Sequence, residues 1–127
     1  HQWEDNGPGW CAVFLQDAAR VLSLKPDMAA LGALKLGVVG PQPAGHDAAF
    51  EVRAFVPSLA VAEDPVTGSL NAGLAQWLIG AGLAPRQYVA AQGTALGRAG
   101  RVHVVADAEN VWIGGDVAPC VEGTVLL

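Results

Sequence analysis

Positive charge is scarce in this chain: seven Lys and Arg stand against twelve Asp and Glu, giving a formal net charge of −5 and a pI near 4.9. The few cations are scattered, so no basic stripe is available for a phosphate backbone or an anionic membrane surface, and nucleic-acid and membrane binding are disfavoured. Long apolar runs are lacking too. No stretch approaches the roughly 20 residues that span a bilayer, and no basic, then apolar, then small-residue leader stands out. The expected setting is cytoplasmic. Cysteine is limited to Cys11 and Cys120. They have neither CxxC spacing nor a neighbouring histidine, so they are expected as buried small hydrophobes in a reducing compartment rather than as metal ligands or nucleophiles. No metal site is expected, and no repeat or low-complexity segment is evident.

What the chain has is apolar mass. Over 127 residues, 52% are hydrophobic and 15% charged, which is enough for one core and short for two, so a single domain over 1–127 is expected. The sequence opens at His1 rather than methionine, and Gln2-Trp3-Glu4-Asp5 runs straight into structured-looking sequence. That start reads as a trimmed chain or a fragment.

The rest is arranged around Glu63-Asp64-Pro65-Val66-Thr67-Gly68-Ser69 and the apolar run after it. Leu70, Leu74, Trp77, Leu78 and Ala81 share one face of a 3.6-residue period, which predicts a helix over 70–81. Ala72, Ala75 and Ile79 make its other sides apolar, so it is expected to be enclosed on most sides. Thr67 or Ser69 would cap its start, and Gly80, Gly82 and Pro85 supply the stop. A helix start carries unpaired N–H groups and a partial positive charge, so Gly68 and Ser69 could receive a carboxylate or phosphate. An ordinary capped core helix explains the same residues.

Elsewhere, short strands are predicted over 10–15, 36–39, 88–91, 101–106, 110–113 and 121–126, and helical turns over 17–22 and, with Pro26 near its start, 25–34. Met28, Leu31 and Leu34 are read as core. From Phe50 the pattern alternates: Phe50, Val52, Ala54 and Val56 point one way, Glu51, Arg53 and Phe55 the other. Arg53 is either a sheet-face charge or a partner that holds Asp64 in place. His46 is expected as a solvated loop residue, His103 on a polar sheet face, and the four tryptophans in packing. Asn6-Gly7-Pro8-Gly9 is a turn, plain or offering donors to a ligand.

These residues carry a resemblance. Arg53-Ala54-Phe55-Val56-Pro57, the Glu63 to Ser69 block, Gln92-Gly93, Gly97-Arg98 and Gly114-Gly115 resemble, in order and spacing, the second half of the PhzF-like isomerases of phenazine biosynthesis. An apolar helix over 70–81 with strands before and after it predicts an α+β fold, an antiparallel or mixed sheet curled around one nearly enclosed helix, and the resemblance agrees, implying one lobe of the diaminopimelate-epimerase-like fold. It also implies a cofactor-independent movement of a proton within a small carboxylate-bearing substrate. Asp64 matches the family's catalytic aspartate. Thr67, Gly68 and Ser69 fall at its substrate-binding helix start, and the Asn6 and Gly7 turn lies close to the cleft. The family's general-base glutamate and a ligand-binding histidine belong to a first lobe with no counterpart here, so a homodimer or a partner lobe is expected. Two other readings remain: a non-catalytic anion-binding or dimerisation module, and a cofactor-independent amino-acid racemase. The latter needs two thiols, and Asp64 stands where one would be.

Overall fold

The computed structural model describes residues 1–59 and 61–126. Its strands are β1 (Gln2–Asp5), β2 (Gly9–Phe14), β3 (Leu36–Pro41), β4 (Phe50–Phe55), β5 (Glu63–Asp64), β6 (Gln87–Gln92), β7 (Gly100–Ala106) and β8 (Val111–Gly114); its helices are α1 (Ala18–Ser23), α2 (Met28–Leu31) and α3 (Gly68–Gly80). The strands form one sheet in the order β1-β2-β3-β4-β6-β7-β8, with the short β5 pairing beside β4. The pairs β2/β3 and β4/β6 are parallel and the others antiparallel. Parallel neighbours need a crossover. The first crossover carries α1 and α2, and the second carries β5 and α3.

These crossovers cover opposite faces of the sheet, and the alternation of β4 shows which residues go where. Phe50, Val52, Ala54 and the following Val56 join Leu70, Leu74, Ala75 and Leu78 of α3 in the main core, with Trp10, Tyr88, Val102 and Val104. Phe55 faces the other way and packs with Val21 and Val38 under α1. Strand β4 is therefore buried on both faces, Glu51 and Arg53 included. The sheet curls until both of its edges, β1 and β8, reach α3. At β1 this closeness depends on Gly73, because a Cβ there would lie 2.8 Å from Cβ of Glu4. The three buried leucines of α3 contribute roughly 1.5–3 kcal/mol each by leaving water, and they anchor the end of the helix that carries Gly68 and Ser69.

Several local expectations are corrected. The 25–34 helix shrinks to α2, because Asp27 caps the N–H groups of Ala29 and Ala30 and Gly32 turns the chain at positive φ. Met28 and Leu31 pack against the α1-side core, while Leu34 is exposed. The strand expected over 121–126 does not form: after β8 the chain has no regular structure up to 126, with Val121 and Leu126 almost fully exposed. A strand exists only where an edge pairs with it, and no such pairing occurs for this segment among the described residues. Cys11 is half-buried and Cys120 exposed. Trp10 is buried as expected, but Trp3 and Trp112 are 59% and 60% exposed. His46 and His103 are both exposed, the latter between buried Val102 and Val104.

Candidate functional site

Strand register places the two carboxylates of the central block on opposite faces. Glu63 sits opposite Phe55 and Asp64 opposite Ala54, so Glu63 turns to the α1 side and Asp64 to the α3 side. Arg53 lies on the α1 face, and it pairs with Glu63 rather than with Asp64. Its guanidinium gives Glu63 two bonds, Nη2 to Oε2 at 2.7 Å and Nε to Oε1 at 2.9 Å. It also donates to the carbonyls of Val21 and Leu24 at the end of α1 and lies 4.7 Å from the Phe55 ring centre. A buried bidentate pair of this kind fixes the geometry of the strand that delivers Asp64.

On the other face, Asp64, Thr67, Gly68 and Ser69 gather at the start of α3. Thr67 occupies the cap position of the helix without making a side-chain cap bond. Its hydroxyl donates instead to Oδ2 of Asp64 at 2.8 Å. The backbone N–H of Thr67 is taken by Oε1 of Gln92 at 3.1 Å. The next two N–H groups, those of Gly68 and Ser69, are among the donors that an α-helix cannot satisfy internally, and they have no protein acceptor among the described residues. The helix dipole adds a partial positive charge here. Gly68 is exposed and Asp64 half-buried, so both are open to a ligand.

The N-terminal turn completes the arrangement. Asn6 Nδ2 donates to the carbonyl of Ser69 at 2.9 Å, and Nε1 of Trp10 donates to the Ser69 hydroxyl at 3.1 Å. Five of the six residues singled out from the sequence (Asn6, Asp64, Thr67, Gly68 and Ser69) thus meet at one end of α3. Gly7 stands beside Asn6, but its N–H is held by Asp5 Oδ1 at 3.1 Å within the turn.

Sequence reasoning missed Gln92, Asn71, Trp10 and Glu4 as parts of this neighbourhood. Gln92 lies two residues beyond Ala90 and four beyond Tyr88 on the core face of β6, so a polar side chain in that alternation was the available signal. Gly93 lets the end of β6 come up against the site: its φ is +87°, and a Cβ there would lie 2.7 Å from the carbonyl of Pro65. Glu4 is buried against Gly73, one helical turn beyond Ser69, with Oε1 unpartnered among the described residues. Burial pushes its carboxyl above the ordinary glutamate range. No group of three or more His, Cys, Asp or Glu with metal-holding geometry occurs among the described residues, and no helix among them is long and apolar enough to cross a membrane.

A family model described as phenazine biosynthesis-like protein, PhzC-PhzF, matches residues 1–123. Antisense-enhancing sequence 1 of Schizosaccharomyces pombe is 30% identical over 94% of this chain and 44% of its own length. The uncharacterized isomerase YddE of Salmonella typhimurium is 33% identical over 81% of this chain and 40% of its own length. Among solved structures, a PhzF-family protein from Enterococcus faecalis superposes with a TM-score of 0.68 at 30% identity, covering 82% of this chain and 39% of its own. A PhzC/PhzF protein from Clostridium difficile strain 630 superposes with a TM-score of 0.69 at 29% identity, covering 91% and 44%. The chain therefore spans less than half the length of these relatives. The curled sheet, the enclosed helix and a match over nearly every residue lead to one conclusion: this chain belongs to the phenazine biosynthesis-like, or PhzF, family.

Proposed function

We propose that the chain is one lobe, the C-terminal one, of a cofactor-independent isomerase that moves a proton within a small carboxylate-bearing molecule. The observation that carries this reading is the convergence of Asp64 with the unpaired N–H groups of Gly68 and Ser69. An anion seated on those N–H groups places its reactive carbon beside a carboxyl able to accept or return a proton. The hydroxyl of Ser69 and the Asn6 turn line the same end of the helix. The isomerase name of one relative supports the reaction class, although that name belongs to the relative. Since the chain spans about 40% of that relative, we assign the general base and the closure of the cleft against water to a second lobe or a second copy. With that assignment go a cytoplasmic setting, no cofactor, and no nucleic-acid or membrane partner.

Heavy water tests the reading. Cyclohexa-2,5-diene-1-carboxylate has a doubly allylic C–H next to its carboxylate, so a proton-transfer catalyst of this kind should exchange it for deuterium. The 127-residue chain alone is expected to bind the acid with little or no exchange. Exchange should appear when the complementary lobe is supplied, and Asp64→Asn should abolish it. Exchange that is indifferent to Asp64→Asn would remove Asp64 from the chemistry. Binding without exchange in every preparation would favour a non-catalytic anion-binding module.

A further inference from the structure

We propose that Gln92 and Thr67 form a one-way hydrogen-bond relay that aims a hydroxyl proton at Asp64, with Gln92 the positioning residue that sets its direction. The inference about geometry stands on the network itself, and its catalytic meaning rests on the reading of Asp64 given above.

The side chain of Gln92 is fully buried, at 0% exposure, and all its hydrogen-bonding positions are assigned. Its Oε1 accepts from the backbone N–H of Thr67 at 3.1 Å and from Nδ2 of Asn71 at 2.8 Å. Neither of these can act as an acceptor: one is a peptide N–H, and the Asn71 amide is oriented by a second bond from the same Nδ2 to the carbonyl of Thr67, also 2.8 Å. The oxygen of Gln92 must therefore lie on this side and its nitrogen on the other. There Nε2 donates to the carbonyl of Asp64 at 3.0 Å and to Oγ1 of Thr67 at 2.9 Å. Turning the amide over would set donor against donor at Thr67 and oxygen against oxygen at Asp64, in a place shielded from water.

The Thr67 hydroxyl has one proton. Having accepted from Gln92, it directs that proton to Oδ2 of Asp64, 2.8 Å away. At 6% exposure, Thr67 has little access to solvent as an alternative partner. The direction of the relay is thus dictated by two backbone groups, the N–H of residue 67 and the carbonyl of residue 64. Oδ2 of Asp64 is committed to the hydroxyl, which holds the carboxyl plane and leaves Oδ1 as the oxygen that meets a substrate. Thr67 on this account positions Asp64 and does not itself touch the ligand.

Neutron diffraction from the deuterated, unmodified protein reads the relay directly. The Thr67 deuteron is expected on the line to Asp64 Oδ2, with two Gln92 deuterons toward Asp64 O and Thr67 Oγ1. A Thr67 deuteron pointing at Gln92 overturns the proposal. The kinetic arm uses deuterium exchange of cyclohexa-2,5-diene-1-carboxylate with the complementary lobe present. Gln92→Met keeps the length of the side chain but has no donor to give, so the Thr67 hydroxyl loses the bond that fixes its direction and its proton is no longer held on Asp64. Its kcat should fall at least tenfold with KM held within twofold, Thr67→Val should match it, and the double variant should be no worse than either within twofold. Independent, multiplying losses, or an unaltered kcat in Gln92→Met, overturn the relay. If the unmodified protein exchanges nothing, the isomerase reading fails while the neutron map still decides the relay.

Discussion

Ser69 shows how one side chain serves both the fold and the site. Its Oγ accepts from Trp10 Nε1, so its own proton is left to donate to an anion seated on the neighbouring N–H groups. Ser69→Ala should weaken binding of a carboxylate probe such as benzoate by about 1.5 kcal/mol, roughly tenfold in Kd. Calorimetry with unchanged affinity would take Ser69 out of the site. Glu51 is the other instructive residue. It is 1% exposed on β4, with Oε2 accepting from Gln42 and Oε1 unpartnered among the described residues. Burial pushes its carboxyl upward from the ordinary glutamate value of 4.5, against smaller opposing effects from Thr94 and Arg101, and burial does the same to Glu4. A carboxyl raised in the folded state contributes stability that is fully present below its unfolded value and is lost as pH rises through the folded value. Urea melts should therefore show this contribution being lost as pH rises from about 4.5 through the folded value of the carboxyl, with a shallower fall in Glu51→Gln. An identical slope in the variant would mean Glu51 does not carry the effect. Asp47 and Asp107 act at the acid end, held below the aspartate range by hydrogen bonds from Arg101 and Trp112.

At the scale of elements, α3 is the piece on which the others rest. Leu70, Leu74 and Leu78 are buried against the inner face of the sheet. Leu74→Ala should cost roughly 2–5 kcal/mol, since the surrounding strands cannot close fully over the cavity. A loss under about 1 kcal/mol in denaturant melts would mean that the helix is not enclosed. This helix was legible from periodicity because its start and stop are local: Pro65 and Thr67 precede it, and Gly80 to Gly82 end it. Strand β4 was legible through its alternation, and β2, β3, β6, β7 and β8 as short runs of apolar and β-forming residues bounded by Gly, Pro and Asp turns. The edge strand β1 was not, because Gln2–Asp5 is mostly exposed and has one sheet neighbour, β2. The 121–126 segment has the composition of a strand and no partner among the described residues.

For the molecule as a whole, the surface around the site turn is partly apolar: Val61 and Leu96 are exposed in a groove with Pro65 and Arg98, and Val66, next along the chain from Pro65, is exposed as well. A face of this kind tends to find a partner, and the commonest closed arrangement of identical chains is a two-fold dimer that uses the same patch twice. Sedimentation velocity over a range of concentrations should show dimerisation, weakened by Val66→Lys. A monomer throughout the micromolar range would count against it.

By itself the sequence determined the α+β class, the extent of α3, the alternation of β4 and the block from Glu63 to Ser69, because periodicity, caps and breakers act over a few neighbouring residues. The tertiary structure decided what those residues meet. Register between β4 and β5 gives Arg53 to Glu63 and sends Asp64 to the opposite face. A buried amide 28 residues beyond Asp64 along the chain grips its carbonyl. The Asn6 turn, 63 residues before Ser69, folds back onto it. Such partners are chosen by register and chain crossing, and no local pattern records which distant residue will arrive.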